Sequence, residues 1–142
     1  MEITKEFYAK QLEAGGFVRD ESFPAEDPNQ FQYKLTDKTG SGIFRYYIQE
    51  KMFAIDVHEM RFYQDTLVEM PEPKFLSIQY FRSVSGEELH PYAQLSPNML
   101  RAYIGGDNRV YQAIYHKDIP VSSVSISVAA AASVHGLAPL HL

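Results

Sequence analysis

Short stretches of alternating polar and apolar residues, separated by turn signals, dominate this chain between residues 31 and 128. Residues 31–36 and 53–58 alternate with a period of two, which is typical of half-buried β-strands. Residues 43–49 are rich in aromatic and β-branched side chains, which also favour strands. No helical period interrupts the region, and nothing in it repeats at a fixed spacing. The pattern therefore predicts an all-β barrel or sandwich of about eight strands.

The same texture predicts further strands over residues 61–68, 75–84, 100–105, 109–116 and 121–128. The turn sequence Gly105-Gly106-Asp107-Asn108 predicts a hairpin between the two runs that flank it. In the run 53–58, the alternation places Ala54, Asp56 and His58 on one face and the intervening apolar residues on the other.

The two ends of the chain differ from this central region. Residues 3–17 leave two alternatives, a short helix that begins near Thr4 and ends at Gly15-Gly16, or a mobile arm. Residues 20–30 carry two prolines and four acids and are predicted to form a loop. We therefore divide the 142 residues into an N-terminal helix or arm (1–30), one barrel domain (31–128) and an irregular, truncated tail (129–142).

Charge and hydropathy limit the partners of the chain. Thirteen Lys and Arg stand against eighteen Asp and Glu, for a net charge of −5, and the basic residues are scattered singly. Because nucleic-acid affinity needs clustered positive charge, we do not expect this chain to bind DNA directly. No apolar run approaches the roughly 20 residues of a membrane helix, and the N-terminus lacks a secretory pattern. We expect a cytoplasmic protein without membrane contact.

No arrangement of reactive residues stands out. The chain has no cysteine, which excludes disulfides and thiolate chemistry. None of the histidines forms a His-x-His pair, so we predict no metal and no cofactor; they are His58, His90, His116, His135 and His141. The serines lack a Gly-x-Ser-x-Gly context, and no glycine-rich phosphate loop is present. These observations predict that the chain is not an enzyme.

Aromatic content points to a ligand pocket instead. Ten tyrosines and nine phenylalanines occur, mostly in or beside predicted strands. Tyrosine offers an apolar face for stacking and a hydroxyl for orienting a small organic ligand. We predict that the ligand is bound by stacking and hydrogen-bonding tyrosines together with an arginine that pairs an anionic group, namely Tyr46, Tyr80, Tyr103, Tyr115 and Arg82. These assignments depend on the register, since a shift of one residue exchanges the two faces of a strand.

The second half of the chain resembles a known family. Residues 75–89 (FLSIQYFRSVSGEEL), Pro91-Tyr92, residues 101–105 (RAYIG) and residues 110–121 (VYQAIYHKDIPV) are similar to the effector domain of AraC-type transcription regulators from Gram-positive bacteria. The resemblance covers approximately residues 31–128. It implies a cupin-like double-stranded β-barrel (jelly-roll) that senses a small effector, forms a homodimer and controls a C-terminal helix-turn-helix domain.

Two features depart from that family. Neither the helical linker nor the basic DNA-binding domain that normally follows the barrel is visible, so DNA contact would need a C-terminal domain not present in this chain. The alanine-rich stretch 129–133 also differs from the helix start expected there. Two alternatives stay open. One is a metal-free cupin-like enzyme of the isomerase type, with His58 or His116 beside a buried carboxylate in a deep cavity. The other is a pure dimerisation module with a filled interior.

Overall fold

The computed structural model describes residues 3–24, 26–36, 38–71, 75–89, 92–104 and 110–129, without the side chains of Thr36, Met70, Pro71 and Tyr103. Within these ranges the chain forms one helix and eleven strands: α1 (Lys5–Ala14), β1 (Val18–Arg19), β2 (Gln30–Thr36), β3 (Gly40–Gln49), β4 (Phe53–Phe62), β5 (Thr66–Pro71), β6 (Leu76–Ser83), β7 (Gly86–Leu89), β8 (Ala93–Leu95), β9 (Met99–Ile104), β10 (Val110–Tyr115) and β11 (Val121–Val128). No helix in the described part is long and apolar enough to cross a membrane.

Two antiparallel sheets make up the barrel. The larger sheet has the order β1-β2-β3-β4-β11-β6-β9, and the smaller has the order β5-β10-β7-β8. Side chains from both sheets line a common interior, which is the double-sheet arrangement of a jelly-roll. The prediction of an all-β jelly-roll with a short N-terminal helix is thus confirmed.

The N-terminal segment forms a docked helix. The Thr4 side chain accepts a hydrogen bond from the Phe7 amide at 3.1 Å and so caps α1. Tyr8 and Leu12, one turn apart, are both buried in the main core. The Tyr8 ring lies 4.8 Å from the ring of Tyr46 on β3. Of the two alternatives for residues 3–17, the helix is the one the structure contains; the domain division at residues 30 and 128 stays a prediction.

Two predicted strand arrangements are wrong. The runs flanking residues 105–108 do not form a hairpin, because β9 pairs with β6 in the larger sheet while β10 pairs with β5 and β7 in the smaller one. The turn residues themselves lie outside the described ranges. Residues 61–68 are not one strand either, since β4 ends at Phe62 and β5 begins at Thr66. Turn chemistry predicts a reversal of the chain, but it does not distinguish a hairpin from a crossing between sheets.

The two central strands of the larger sheet have an inverted polarity. An antiparallel sheet with one solvated face usually turns its apolar residues inward and its polar residues outward. Here the inward, buried residues of β4 and β11 include Asp56, His58, Ser123 and Ser127, whereas their most exposed apolar residues are Ile55, Val57, Val124 and Ile126. The inversion creates a polar wall inside the barrel and an apolar surface outside it.

Candidate functional site

A cavity of about 410 Å³ lies inside the barrel, between helix α1 and the two sheets. Its volume falls within the range of roughly 300–1,000 Å³ that is usual for small-molecule sites. The lining residues that are exposed to solvent mark its mouth, and they are Ala14, Gly15, Thr39, Leu67 and Glu69. The cavity is therefore open to ligands on the side that holds the C-terminal end of α1, Thr39 and β5.

One wall of the cavity is aromatic. Tyr46 lies between the rings of Tyr8 and Phe44, at 4.8 and 6.0 Å between centroids. Phe62 and Tyr115 stack at 5.8 Å elsewhere in the lining. Aromatic faces of this kind accept the apolar body of an organic ligand, and they also attract cations.

The wall beside it is polar and begins with a carboxylate and an imidazole, because Asp56 and His58 on β4 pair with Tyr46 and Phe44 on β3. Asp56 and His58 are each 7% exposed, and both line the cavity from β4. Asp56 Oδ2 accepts a hydrogen bond from Ser125 Oγ at 2.5 Å. His58 Nδ1 lies 3.6 Å from Asp56 Oδ1, which is too long for a direct hydrogen bond. The His58 ring stacks on Phe44 at 4.5 Å, which fixes its orientation.

Serine and glutamine side chains from β6 and β11 extend this polar wall. Gln79 Nε2 donates to Ser123 Oγ at 3.1 Å, and Ser123 Oγ lies 2.9 Å from His58 Nε2. The hydroxyls of Ser77 and Ser127 share a hydrogen bond of 2.9 Å further along the same two strands. Because buried polar groups need partners, this network explains how a strand with serines at positions 123, 125 and 127 can face the interior.

A second buried polar cluster includes Tyr111 and Tyr115, which line the cavity from β10. Glu88 on β7 forms an ion pair with Arg101 on β9, and so joins the two sheets. Tyr111 hydrogen-bonds to both Glu88 and Tyr115. Burial raises the pKa of the Tyr111 hydroxyl far above its ordinary value, with the neighbouring Tyr115 and Glu88 adding to the effect. Burial likewise raises the pKa of Tyr115.

These raised pKa values predict how the protein responds to alkali. The folded state keeps the Tyr111 and Tyr115 protons that the unfolded state loses above the ordinary tyrosine pKa of 10.0. The unfolded state therefore binds fewer protons there, and stability falls as the pH rises through and beyond that value. In a spectrophotometric titration we expect these two hydroxyls to ionise only when the protein unfolds, and Tyr115→Phe to remove one late-titrating group. Ionisation of all tyrosines before the loss of far-UV circular dichroism would contradict this.

The five predicted ligand-binding residues lie in different places. Tyr46 and Tyr115 line the cavity, and their contact with a ligand stays a prediction. Tyr80 and Arg82 do not line this cavity and lie on the exposed side of β6, so their contact with a ligand also stays a prediction. The Tyr80 hydroxyl donates to the Asn98 side chain at 2.6 Å. The side chain of Tyr103 lies outside the described part of the structure.

The register of β6 explains why Tyr80 and Arg82 do not line the cavity. Its inward residues are Ser77, Gln79 and Phe81, so Ile78 and Tyr80 between them face out. A β-bulge also interrupts the register of β6 at Arg82. Ser123 pairs with Phe81 and Ser122 with Ser83, so Arg82 has no paired residue on β11.

The residues that form the polar wall were not among the predicted ligand-binding residues, although His58 beside a carboxylate was part of the enzyme alternative. The sequence does place Asp56 and His58 on one face of a strand, and Ser123, Ser125 and Ser127 on one face of another. The usual orientation assigns such polar faces to solvent, so the alternation alone gives the wrong side. The local sequence carries no signal for the inversion, because a polar face opposite an apolar face is also the pattern of an ordinary half-solvated strand.

Comparison with known proteins identifies the fold. No family model matches the chain, and no curated protein matches its sequence. Among solved structures, a cupin-2 domain from Rhodospirillum rubrum is similar with a TM-score of 0.50 and 8% identity, over 79% of this chain and 78% of that one. Fe(II)-HppE with the alternative substrate (S)-1-HPP also has a TM-score of 0.50, with 9% identity over 79% of this chain and 63% of that one. Ectoine synthase from P. lautus has a TM-score of 0.47 and 16% identity, over 76% and 83%.

These likenesses establish a cupin fold and correct one prediction. At such low identity they show the architecture alone, and the assignment to AraC-type regulators receives no support from them. The prediction that the chain is not an enzyme is wrong as drawn, because the same fold occurs in a protein solved with its substrate. Fold does not decide function in either direction.

The neighbour with iron raises the question of a metal in this cavity. In the wall, Asp56 and His58 are the nearest pair of metal-ligating side chains. Among the described residues, no group of three His, Cys, Asp or Glu side chains converges in a way that could hold a metal ion. The residues that the structure describes therefore do not fit an iron site with three side-chain ligands.

Proposed function

We propose that this barrel binds a small organic molecule in its cavity, and that it serves as the effector-sensing domain of an AraC-type transcription regulator. The cavity carries the first part of the proposal, because a barrel that serves only for dimerisation has no need of a 410 Å³ interior with one aromatic and one polar wall. The second part rests on the resemblance of residues 75–121 to that family. DNA contact would belong to a C-terminal helix-turn-helix domain outside this chain.

Helix α1 provides a route by which a ligand could change the protein. Tyr8, Gln11 and Leu12 of α1 line the cavity together with strands of both sheets. A ligand that contacts the helix and the sheets at once stabilises the docked helix over any displaced state. The docked and displaced helix would then be the two states that a regulator needs.

Thermal-shift screening of a broad metabolite library tests ligand binding. We expect at least one compound to raise the melting temperature, because ligand at 100 times its Kd stabilises the folded state by about 2.7 kcal/mol. Ser125→Leu, which places an isobutyl group in the cavity wall, should abolish the shift by that compound. Ser96→Leu makes the same change at an exposed residue outside the cavity and should preserve it. A library without any stabilising compound, or equal shifts in both variants, would contradict the proposal.

A second candidate function is proton-transfer catalysis without a metal. His58 lies in the cavity beside the buried carboxylate of Asp56, which is the arrangement a general base requires. His58 would accept a proton from a carbon of the ligand, Asp56 would stabilise the imidazolium, and the proton would return to a neighbouring carbon. Tyr115, which the raised pKa keeps protonated, could donate a hydrogen bond to the intermediate.

Isotope exchange distinguishes catalysis from simple binding. A compound from the screen, incubated with the protein in D₂O, should lose a C–H signal in proton NMR if His58 removes that proton. His58→Asn should bind the compound and fail to exchange it. Binding without exchange in the wild-type protein would favour the sensor over the enzyme.

A further inference from the structure

The charged groups around the cavity are of one sign. Asp56 lies in the wall and Glu69 at the mouth, and none of the described residues that line the cavity is Lys or Arg. Arg101 approaches Tyr115, but Glu88 balances its charge. We propose that the ligand is a small organic cation, a protonated amine on an apolar body. This inference rests on the proposed binding function.

Asp56 is the group that such a cation would meet. A carboxylate that is 7% exposed loses most of its hydration, and this is costly unless a positive group or several hydrogen bonds replace it. One oxygen of Asp56 is satisfied by Ser125. The other lies 3.6 Å from His58 Nδ1, so that oxygen is open to a charge-assisted hydrogen bond from an ammonium group.

The aromatic wall suits the same chemistry. Tyr8, Phe44 and Tyr46 line the cavity as a continuous group of rings. Aromatic faces attract ammonium groups through their quadrupole and pack against apolar chains and rings. Glu69 at the mouth and the net charge of −5 add a field that steers cations towards the opening.

Ligands matched in shape and different in charge test the proposal. We would titrate benzylamine, benzyl alcohol and benzoate, and hexylamine, hexanol and hexanoate, by calorimetry at pH 7. Each amine should bind about tenfold more tightly than its alcohol, and the carboxylates more weakly still. This comparison uses the wild-type protein alone and does not depend on the folding of any variant.

A charge-removing substitution assigns the preference to Asp56. Asp56→Asn should weaken amine binding by about ten- to a hundredfold and leave alcohol binding nearly unchanged. Asp118→Asn is the matched control, because Asp118 is exposed and its φ of 60° is one that asparagine tolerates. Amines that bind Asp56→Asn as well as the wild type would overturn the proposal.

The remaining outcomes separate this inference from the proposed function. Tighter binding of the alcohols or carboxylates would overturn the cationic ligand and leave ligand binding intact. No binding by any of the six compounds would also overturn it, and the metabolite screen would then decide independently whether the cavity binds ligands at all.

A second inference concerns the outer face of the larger sheet. Two rows of outward side chains cross β3, β4, β11, β6 and β9 in register, and nine of their ten positions are apolar: Arg45–Val57–Val124–Tyr80–Leu100 and Tyr47–Ile55–Ile126–Ile78–Ala102. Six of these side chains are at least 37% exposed. We call these two rows the outer apolar face, and we infer that a second copy of the chain covers it.

Its size and its charges favour a second copy. A contiguous apolar surface of this width exceeds the isolated apolar residues that monomers commonly expose, and homodimer interfaces have an uncharged, apolar centre. At one end, Glu59 on β4 and Arg82 on β6 lie on opposite sides of Ser122 on β11. A twofold axis along β11 would place Glu59 of one copy over Arg82 of the other, so the face is complementary to itself.

Analytical ultracentrifugation tests the dimer. We expect the wild-type chain to sediment as a dimer at micromolar concentration and Val124→Lys to sediment as a folded monomer, because lysine would be buried in the interface. Val18→Lys makes the same substitution on β1, away from the outer apolar face, at a residue that is 54% exposed, and it should remain dimeric. A wild-type monomer at 100-fold higher concentration, or a dimer in both variants, would overturn the inference.

Discussion

Replacing Arg101 by methionine should lower the free energy of unfolding by about 3 kcal/mol, because it leaves the charge of Glu88 buried without its partner. The Glu88 side chain is only 7% exposed, whereas that of Arg101 is 24% exposed, so we take the lower end of the range for broken buried pairs. The pair also connects β7 of the smaller sheet with β9 of the larger sheet. Urea denaturation followed by circular dichroism measures the loss.

Two control variants separate the loss of the buried ion pair from the loss of an arginine side chain as such. Arg82→Met removes an exposed arginine near the end of the neighbouring strand β6 and should change stability by no more than about 0.5 kcal/mol, provided that it is measured on monomeric Val124→Lys protein. Arg101→Met combined with Glu88→Gln removes both charges and should recover part of the loss. A loss below about 1 kcal/mol for Arg101→Met would show that the pair behaves like a surface ion pair.

Replacing Phe75 by alanine should lower the free energy of unfolding by about 3–5 kcal/mol, which is the usual cost of removing a buried aromatic ring. Phe75 is 1% exposed, and its ring contacts Phe7 at 5.5 Å and Tyr8 at 6.3 Å. These contacts join α1 to the barrel, so the substitution should also release the helix. Hydrogen exchange would detect the release: relative to the wild type, the substitution should speed the exchange of the α1 amides more than that of the β4 amides.

The control for Phe75→Ala is Leu100→Ala, which truncates a side chain that is 69% exposed. On the same monomeric background it should cost less than about 1 kcal/mol. A Phe75→Ala protein with near-normal stability and an unchanged helix would mean that α1 does not depend on this contact. The helix would then be an unsuitable element for relaying ligand binding.

Local sequence pattern predicted most strands of this fold and failed where the pairing is not local. The alternation in residues 31–36 and 53–58 located β2 and the first part of β4 because period two follows directly from strand geometry. The strand β7 was missed because Gly86-Glu87-Glu88 has the composition of a turn. Its pairing with β10 and with β8 provides the hydrogen bonds that make it a strand, and β10 lies far along the chain.

The candidate site was predicted in part. Tyr46 and Tyr115 do line the cavity, since they are inward residues of strands that the aromatic pattern located correctly. Asp56 and His58 were grouped on one face, but the alternation does not state whether that face lies inside or outside the barrel. The inward polar and outward apolar faces of β4 and β11 fit the two proposals together. A polar ligand would contact the inner face, and an apolar partner would cover the outer face.

One NMR measurement tests the central claim that the cavity is the ligand site. Met60 lines the cavity, whereas Met52 is 57% exposed and does not line it. With ¹³C-methyl methionine labelling, we expect a stabilising compound to shift the Met60 resonance in proportion to occupancy and to leave Met52 unchanged. A compound that binds with the measured affinity while the Met60 resonance stays in place would contradict ligand binding inside the barrel.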